Sequence, residues 1–165
     1  ETPARLRVDL GGPGGAWHLL GWFNWGDSPT LFNWQPEAYQ LPPGTYWLRS
    51  FWDGGVIQAP AGEPPIFPAV PPHGALVLAV RPVTGAPQYL GSDLHLSMGL
   101  ELSEWHATPQ SVSLGLELPR HCAGVVDLAL PQPPISPAAQ CIAPGVYRFP
   151  VKTAPTARLD VRWAG

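Results

Sequence analysis

Residues 157–163 read Ala-Arg-Leu-Asp-Val-Arg-Trp, and this stretch decides the fold class. Apolar residues occupy every second position from Ala157 to Trp163, and charged residues fill the positions between them. Because successive side chains of a β-strand point to opposite faces, such alternation places one face in a core and the other in water. The stretch therefore predicts a half-buried strand of an antiparallel sheet.

Other parts of the chain carry the same signal or a related one. Alternation recurs over four stretches, namely Arg5–Leu10, His95–Leu102, Ser111–Leu118 and Gly124–Leu130. Two nearly continuous apolar runs, Trp17–Trp25 and Ala75–Val80, predict strands that are buried on both faces near the middle of the structure. Tyr46–Trp52 is rich in aromatic residues, which is also typical of a strand.

One segment admits a second interpretation. Gln88–Thr108 contains no proline, and its apolar residues also fit one face of a helix. A glycine inside it, Gly99, would cost a helix about 1 kcal/mol relative to alanine. Because apolar and polar residues alternate strictly over His95–Leu102, we predict a strand there rather than a helix.

Proline and glycine complete the argument for the fold class. The 165 residues include 23 prolines and 18 glycines, and an interior proline breaks a helix. Many short strands separated by Gly/Pro turns indicate an all-β fold, an antiparallel β-sandwich with an appended second set of strands. Because six of the eight tryptophans precede residue 53, we predict a main β-sandwich over residues 1–91 and additional strands or a small second β-lobe over residues 92–165. One continuous sandwich and two lobes both remain open.

The charge and the composition of the chain exclude several classes of partner. Nine basic against twelve acidic residues give a net charge of −3, and Lys152 is the only lysine. The chain lacks the basic stripe that binds phosphates, so nucleic acid is not an expected partner. No run reaches the roughly 18 apolar residues of a membrane span, so we predict a soluble protein without a membrane partner and favour the cytoplasm. Cys122 and Cys141 do not settle the compartment, because both a disulfide and free thiols fit the sequence.

No set of residues indicates a catalytic centre. A glycosidase needs two carboxyl groups across a sugar-sized cleft, yet Asp27 and Asp53 lie in turn sequences where a side chain bonds its own backbone. Other acids, Glu101 among them, fall on the polar side of alternating stretches, where we expect water around them. A nucleophile elbow, a phosphate-binding loop and a zinc-ligand spacing are all missing from the sequence. We therefore predict no catalytic residue, no metal and no cofactor.

The tryptophans are the remaining signal for function. Packing in the core is the usual role of tryptophan, but an exposed indole also forms a platform for the C–H surface of a sugar ring. Trp34 lies among polar neighbours in Asn33-Trp34-Gln35-Pro36, so we expect its side chain to be exposed.

Three short motifs, taken in order, resemble one family. They are Trp-Phe-Asn-Trp-Gly-Asp-Ser-Pro at 22–29, Leu-Pro-Pro-Gly-Thr-Tyr at 41–46 leading to Phe-Trp-Asp at 51–53, and Pro-Pro-His-Gly-Ala-Leu-Val-Leu at 71–78. Together with the stretch at 90–99, they resemble the C-terminal β-domain of α-galactosidase-like glycoside hydrolases, the melibiase group of family 36 and its relatives. The resemblance covers residues 16–100, and residues 101–165 match only in style.

The resemblance implies an accessory domain rather than an enzyme in its own right. In that family the catalytic aspartates lie on a (β/α)₈ barrel that precedes the β-domain, and this chain has no alternating strand and helix pattern from which to build one. The expected partner is therefore the catalytic barrel of the same parent chain, and α-galactoside glycans are the expected substrate class of that parent. The resemblance implies a framework role for the positions that match the family pattern, namely Asn24, Trp25, Tyr46, Trp52 and His73.

Four residues are candidates for contact with the barrel or with a carbohydrate: Trp25, Trp34, Trp52 and Asp53. The alternative function is an independent carbohydrate-binding module that uses exposed tryptophans. A barrel-docking domain should expose a sizeable apolar patch, whereas a binding module should present at least two coplanar rings to solvent. The excess of arginine over lysine and the abundance of Gly, Ala and Pro are typical of a GC-rich bacterial genome.

Overall fold

The structure is a computed structural model that describes residues 3–60 and 67–165. Within these ranges it contains thirteen β-strands, one short 3-10 helix and no α-helix, so the predicted all-β class is confirmed. The strands are β1 (Arg5–Gly12), β2 (Gly15–Phe23), β3 (Tyr46–Ser50), β4 (Val56–Ala59), β5 (Ala75–Pro82), β6 (Gln88–Ser92), β7 (Leu102–Ala107), β8 (Ser111–Glu117), β9 (Cys122–Ala129), β10 (Pro134–Ser136), β11 (Gln140–Ala143), β12 (Val146–Thr153) and β13 (Thr156–Trp163). The 3-10 helix is η1 (Pro36–Tyr39).

Two compact units make up the chain. Unit 1 comprises Glu1–Leu10 and Trp17–Val83, and unit 2 comprises Gly11–Ala16 and Thr84–Gly165. The domain boundary that composition predicts, after residue 91, stays a prediction.

Unit 1 is built on a five-stranded sheet in the order β1-β2-β5-β3-β4. The central strand β5 pairs antiparallel with β2 on one side, where Leu20 faces Leu78, and with β3 on the other, where Leu48 faces Val80. The two nearly continuous apolar runs of the sequence have become β2 and β5. The prediction of strands in these two runs is therefore confirmed, and both strands have a hydrogen-bonded neighbour on each side. The prediction that they are buried on both faces is not met throughout, because Leu19, Phe23 and Val77 on the second face are only half-buried.

One face of this sheet carries the core of unit 1. Leu20, Leu48 and Leu78 on that face are fully buried. Aromatic residues from the loops, among them Phe32 and Phe67, belong to the same core cluster. Each buried aromatic side chain removes about 150–250 Å² from water. The aromatic side chains of the loops therefore cover this face of the sheet, as a second sheet does in a sandwich.

Unit 2 is a sandwich of two four-stranded sheets, with the orders β10-β13-β8-β7 and β11-β12-β9-β6. Leu114 and Val161 from the first sheet share one core cluster with Val126 and Phe149 from the second. In β13, Val161 and Trp163 are buried in this core and Ala157 and Leu159 pack against it, while the charged residues Arg158, Asp160 and Arg162 are exposed. The strand and the sidedness that the alternation of residues 157–163 predicts are thus confirmed.

The stretch His95–Leu102 does not form the predicted strand. β6 ends at Ser92, β7 begins at Leu102, and turns fill the interval. Met98 has a φ of 51°, which lies in the left-handed region and fits neither a strand nor a right-handed helix. Both interpretations of this segment are therefore wrong for the residues between the two strands.

A buried carboxylate organises this turn. Glu101 is 1% exposed and accepts hydrogen bonds from the hydroxyls of Tyr89 and Ser92 and from the Gly99 amide. Because a buried charge is costly unless hydrogen bonds compensate it, the backbone bends so that these donors surround the carboxylate. The expectation that Glu101 lies in water is wrong for the same reason.

Candidate functional site

Three strand ends of unit 1 lie at one end of its sheet. Phe23 at the end of β2 pairs with Ala75 at the start of β5, and the Phe51 amide, directly after β3, donates to the Val77 carbonyl. The segments that follow β2 and β3 therefore leave the sheet at the same end. They contain three of the four predicted contact residues, namely Trp25, Trp52 and Asp53.

Asn24 fixes the loops at this end. Its side chain is buried, and Nδ2 donates to the carbonyl oxygens of Ser28, Val70 and Pro71 at 2.9, 3.1 and 3.0 Å. Its Oδ1 accepts a hydrogen bond from the Gly26 amide at 3.1 Å. This one side chain thus ties the loop after β2 to the loop before β5.

Trp25 is held firmly although half of it is exposed. Its side chain is 52% exposed, and its ring stacks on Phe23 with the centroids 5.8 Å apart and the planes at 20°. Its Nε1 donates to the Pro3 carbonyl at 2.9 Å, and the Phe23 amide donates to the Ala4 carbonyl at 3.0 Å. The first described residues therefore run beside this indole.

Trp52 is the second exposed tryptophan at this end. It is 67% exposed and meets the Phe51 ring edge-to-face with the centroids 5.1 Å apart. The neighbouring Asp53 accepts a hydrogen bond on Oδ1 from the Gly55 amide at 2.9 Å, so the prediction that Asp53 stabilises its own turn is confirmed. Trp52 is available for contact with a partner, whereas one oxygen of Asp53 is already engaged.

Asp27 does not bond its own turn, and that prediction is wrong. In the part of the chain that the structure describes, its Oδ1 lies 3.1 Å from Nε2 of His73, and both side chains are exposed. Asn24 stabilises the turn instead, because its amide offers a donor and an acceptor at once. The pair of Asp27 and His73 places polar groups at the same end of the sheet as Trp25.

Trp34 is buried, so the prediction of an exposed side chain is wrong. It is 7% exposed, stacks on Tyr39 with the centroids 6.3 Å apart and meets Tyr46 edge-to-face at 5.7 Å. Neighbouring residues of an extended segment point to opposite sides, so Asn33 and Gln35 are exposed while Trp34 enters the core. Trp34 is not part of the exposed contact surface.

Within residues 3–60 and 67–165, two polar atoms of this aromatic cluster are buried and form no hydrogen bond, namely Nε1 of Trp34 and Oη of Tyr39. Burial raises the pKa of Tyr39 to about 12, so its hydroxyl stays neutral at physiological pH. A buried polar group without a partner costs about 1–3 kcal/mol.

We therefore expect Tyr39→Phe to leave the free energy of unfolding unchanged or to raise it by about 1 kcal/mol, as measured by urea unfolding.

Tyr46→Phe is the matched control for this prediction. The Tyr46 hydroxyl donates to the Pro42 carbonyl at 2.6 Å. Its removal should lower the free energy of unfolding by about 1 kcal/mol, because a formed hydrogen bond is lost. If Tyr39→Phe destabilised the chain as much as Tyr46→Phe does, the Tyr39 hydroxyl would have to form a hydrogen bond, and the prediction would be contradicted.

A row of apolar side chains lies on the second face of the unit 1 sheet, opposite its core, at the end where β2 and β3 finish. Further along the same face Trp17, Trp47 and Ala79 are buried. A Cβ placed on Gly21 would lie 3.4 Å from the Leu6 Cβ and 3.4 Å from the Phe23 ring. Gly21 pairs with Val77 on β5, and Phe51 lies beside Val77 after β3. We call Leu6, Phe23, Val77 and Phe51 the apolar row. Leu6 is 53% exposed and the other three are half-buried.

The apolar side of β1 faces outward, which the sequence pattern does not predict. The alternation over Arg5–Leu10 predicts that Leu6 and Val8 are buried, yet they are 53% and 38% exposed. The polar side packs against the protein instead, because Arg7 donates to the Tyr39 carbonyl at 2.7 Å. Contiguous exposed apolar side chains are typical of an interaction surface. The sequence analysis did not identify this surface. The alternation in β1 shows that the strand has an apolar side, but it does not show that this side is exposed.

Other chemistry-bearing groups are engaged or isolated. Residues 3–60 and 67–165 contain no group of three His, Cys, Asp or Glu side chains arranged to hold a metal ion. Cys122 and Cys141 are free thiols. Asp127 is fully buried, and Arg148 donates to both of its carboxylate oxygens at 2.7 and 2.8 Å. None of the helical turns in the described ranges has the length and apolar character to cross a bilayer.

Comparison of the chain with models of protein families gives no match, and comparison with curated proteins gives no significant match. The family therefore stays a prediction that rests on the sequence motifs. The structure shows where those motifs lie. Residues 22–29 and 51–53 and the start of 71–78 belong to the end of the unit 1 sheet described above, whereas residues 41–46 lead into β3 at the opposite end, where Tyr46 pairs with Pro82.

Proposed function

We propose that this chain is the non-catalytic C-terminal β-region of an α-galactosidase-like glycoside hydrolase and packs on the catalytic (β/α)₈ barrel of the same parent chain. The observation that carries the proposal is the outward apolar side of β1, which the apolar row continues across the sheet. Apolar surface left in water is unfavourable by about 25 cal/mol for each Å². A partner that covers the apolar row removes this cost.

The first described residues lie beside the apolar row. Pro3 and Ala4 are hydrogen-bonded to Trp25 and Phe23. A domain that preceded Pro3 would therefore enter unit 1 beside the apolar row and would need only a short linker to reach it. This order, barrel first and β-region second, is the one that the resemblance implies.

The two exposed tryptophans are the expected anchors of the contact. Large aromatic side chains dominate the binding energy of most interfaces, and polar groups form the rim around them. Trp25 and Trp52 are exposed at the end of the sheet that also carries the apolar row. Asp53 and the pair of Asp27 and His73 are exposed polar groups at the same end. In this proposal the chain contributes stability and shape, and the reacting groups belong to the barrel.

The second candidate is a carbohydrate-binding module that uses Trp25 and Trp52. Their exposure favours it, because an indole face is a good platform for a sugar ring. The stacking of Trp25 on Phe23 favours docking instead, because it joins this indole to the apolar row rather than setting it apart as an isolated platform.

A titration separates the two candidates. The isolated chain is titrated with galactose and with α-galactosides while tryptophan fluorescence and released sugar are followed. If the chain docks on a barrel, we expect neither released sugar nor any fluorescence quenching that depends on Trp25 or Trp52. Saturable quenching that disappears in both Trp25→Phe and Trp52→Phe would establish the binding module. Hydrolysis by the isolated chain would overturn the non-catalytic assignment.

A further inference from the structure

β1 is an edge strand of the unit 1 sheet. In the order β1-β2-β5-β3-β4 it has a neighbouring strand on one side only. It has eight residues, whereas the other edge strands in the described ranges have three to six. Proteins usually keep edge strands short, because the main-chain groups along a long one can pair with another chain. β1 therefore offers a place for a further strand.

The main-chain groups at this edge are those of the charged residues of β1. The Phe23 amide on β2 donates to the Ala4 carbonyl, so Ala4 faces β2. Successive residues of a strand direct their main-chain groups to alternate sides, so Val8 also faces β2. The groups that point away from the sheet belong to Arg5, Arg7 and Asp9. Within residues 3–60 and 67–165, no main-chain group across this edge bonds to them.

A groove lies beside this edge. It encloses about 430 Å³, and its lining includes Arg5, Arg7 and Asp9 from β1 and residues 38–40 at the end of η1. The Arg7 side chain joins the two elements, because its Nη1 donates to the Tyr39 carbonyl at 2.7 Å. This contact is made by the side chain, so it leaves the main-chain groups of the edge available.

The side chains of β1 are complementary to those of a second copy of β1. Charged side chains normally protect an edge strand from pairing, but β1 carries both signs of charge. If an antiparallel second copy is centred on Val8, Arg7 lies opposite Asp9 of the copy, and Asp9 lies opposite its Arg7. On the other side of the strand, Leu6 lies opposite Leu10 of the copy. Opposite charges and apolar side chains are both favourable pairs across two strands.

The neighbouring register is less favourable. If the second copy were centred on Arg7, the two Arg7 side chains would lie directly opposite each other, and like charges in that position are destabilising. Charge therefore selects the register centred on Val8. The main-chain groups allow the same register, because Arg7 and Asp9 both point away from the sheet and can exchange both hydrogen bonds of a pair.

We propose that two copies of this chain pair through β1 in antiparallel orientation about a twofold axis at Val8, which joins their five-stranded sheets into one continuous sheet. A twofold contact closes after two copies, so the assembly is a dimer and nothing larger. The contact is confined to one strand pair and a small area, so we expect a dissociation constant of about 10–100 μM. The pairing uses the edge of the sheet, whereas the proposed docking on a barrel uses the apolar row on its face.

The first test is sedimentation equilibrium of the full chain, in which we expect a reversible dimer. Val8→Lys should weaken the dimer about tenfold or more, since two lysines would lie opposite each other at the axis. Gln58→Lys introduces the same side chain at an exposed position of β4, the opposite edge strand of the sheet. It should leave the dimer unchanged.

A disulfide tests the register. The exposed thiol of the chain is first removed by Cys141→Ser, and each variant is then oxidised with copper phenanthroline. Val8→Cys should give a covalent dimer, because the Cα atoms of a non-hydrogen-bonded pair lie about 4.5 Å apart, within reach of a disulfide. Leu6→Cys is the matched control. It should stay largely uncrosslinked, because the two Leu6 positions would be about 14 Å apart.

Three results would overturn the proposal. They are a chain that stays monomeric at about 1 mM, a dimer that Val8→Lys and Gln58→Lys affect equally, and a Leu6→Cys chain that crosslinks as readily as Val8→Cys. Circular dichroism of each variant reports whether it is folded. Val8 lies outside the apolar row, so loss of the dimer in Val8→Lys would not affect association with a barrel. The two proposals can therefore fail separately.

Discussion

Replacement of Asp127 by asparagine should lower the free energy of unfolding by about 3 kcal/mol. Asp127 is fully buried in β9 and lies directly opposite Arg148 on β12, whose guanidinium donates to both carboxylate oxygens. Asparagine keeps the shape of the side chain but not its charge. The Arg148 side chain is 22% exposed, so the substitution removes one charge of a mostly buried ion pair, which is the costly outcome. Urea unfolding followed by circular dichroism measures the loss.

Asp160→Asn is the matched control for the Asp127 variant. Asp160 is also paired with an arginine, Arg158, but both side chains are exposed. An exposed ion pair contributes little, so the free energy of unfolding should stay within about 0.5 kcal/mol of that of the unchanged chain. Equal losses from the two variants would show that burial does not determine the contribution of Asp127.

Asn24→Ala should destabilise the chain by a similar amount, about 3 kcal/mol. The substitution removes the hydrogen bonds from Nδ2 to three carbonyl oxygens and the one from the Gly26 amide to Oδ1. A buried polar group that loses its partner costs about 1–3 kcal/mol, and several groups lose theirs together here. Because Trp25 follows Asn24 directly, the variant should also change the tryptophan fluorescence of the folded chain. Urea unfolding followed by that fluorescence measures both effects.

Asn33→Ala is the control for the Asn24 variant. Asn33 is exposed in the loop beside the buried Trp34, and its replacement should change the free energy of unfolding by less than about 0.5 kcal/mol. If Asn24→Ala behaved like Asn33→Ala, the loops before β5 and after β2 would not depend on the Asn24 side chain.

Strand positions could be predicted where residue pattern and burial agree. β8 and β13 alternate apolar residues with polar or small ones, and each of them packs its apolar side into the core of unit 2. β9 also places Val126 and Leu128 in that core, but its other side is buried too, because Asp127 pairs with Arg148. In such strands the local pattern and the long-range packing favour the same structure. The predicted all-β fold class follows directly from these strands.

Predictions failed where a tertiary contact outweighs the local pattern. The alternation around Glu101 indicates a solvated acid on a strand, but Tyr89, Ser92 and Gly99 surround its carboxylate and bend the chain. These partners are separated from Glu101 by up to 12 positions. No pattern within the stretch itself reveals that the carboxylate will be buried.

The surface proposed for docking could be found only in part from the sequence. The motifs that resemble the family drew attention to Trp25, Trp52 and Asp53, which the structure brings to one end of the sheet. Leu6 and Val8 escaped notice, because alternation shows which residues share a face but not which face is covered. Here the polar side of β1 packs against η1 through Arg7, and the apolar side is left in water.

The most direct test of the central claim is the association of this chain with a separately produced (β/α)₈ barrel, the partner that we propose precedes it in the parent chain, measured by sedimentation equilibrium. We expect a one-to-one complex that Leu6→Asp weakens about tenfold or more, since a charge would enter the apolar contact. Leu31→Asp is the control, because Leu31 is 69% exposed and lies outside the apolar row, and it should leave association unchanged. A parent gene without a barrel, a mixture without a complex, or equal effects of the two variants would contradict docking through this surface.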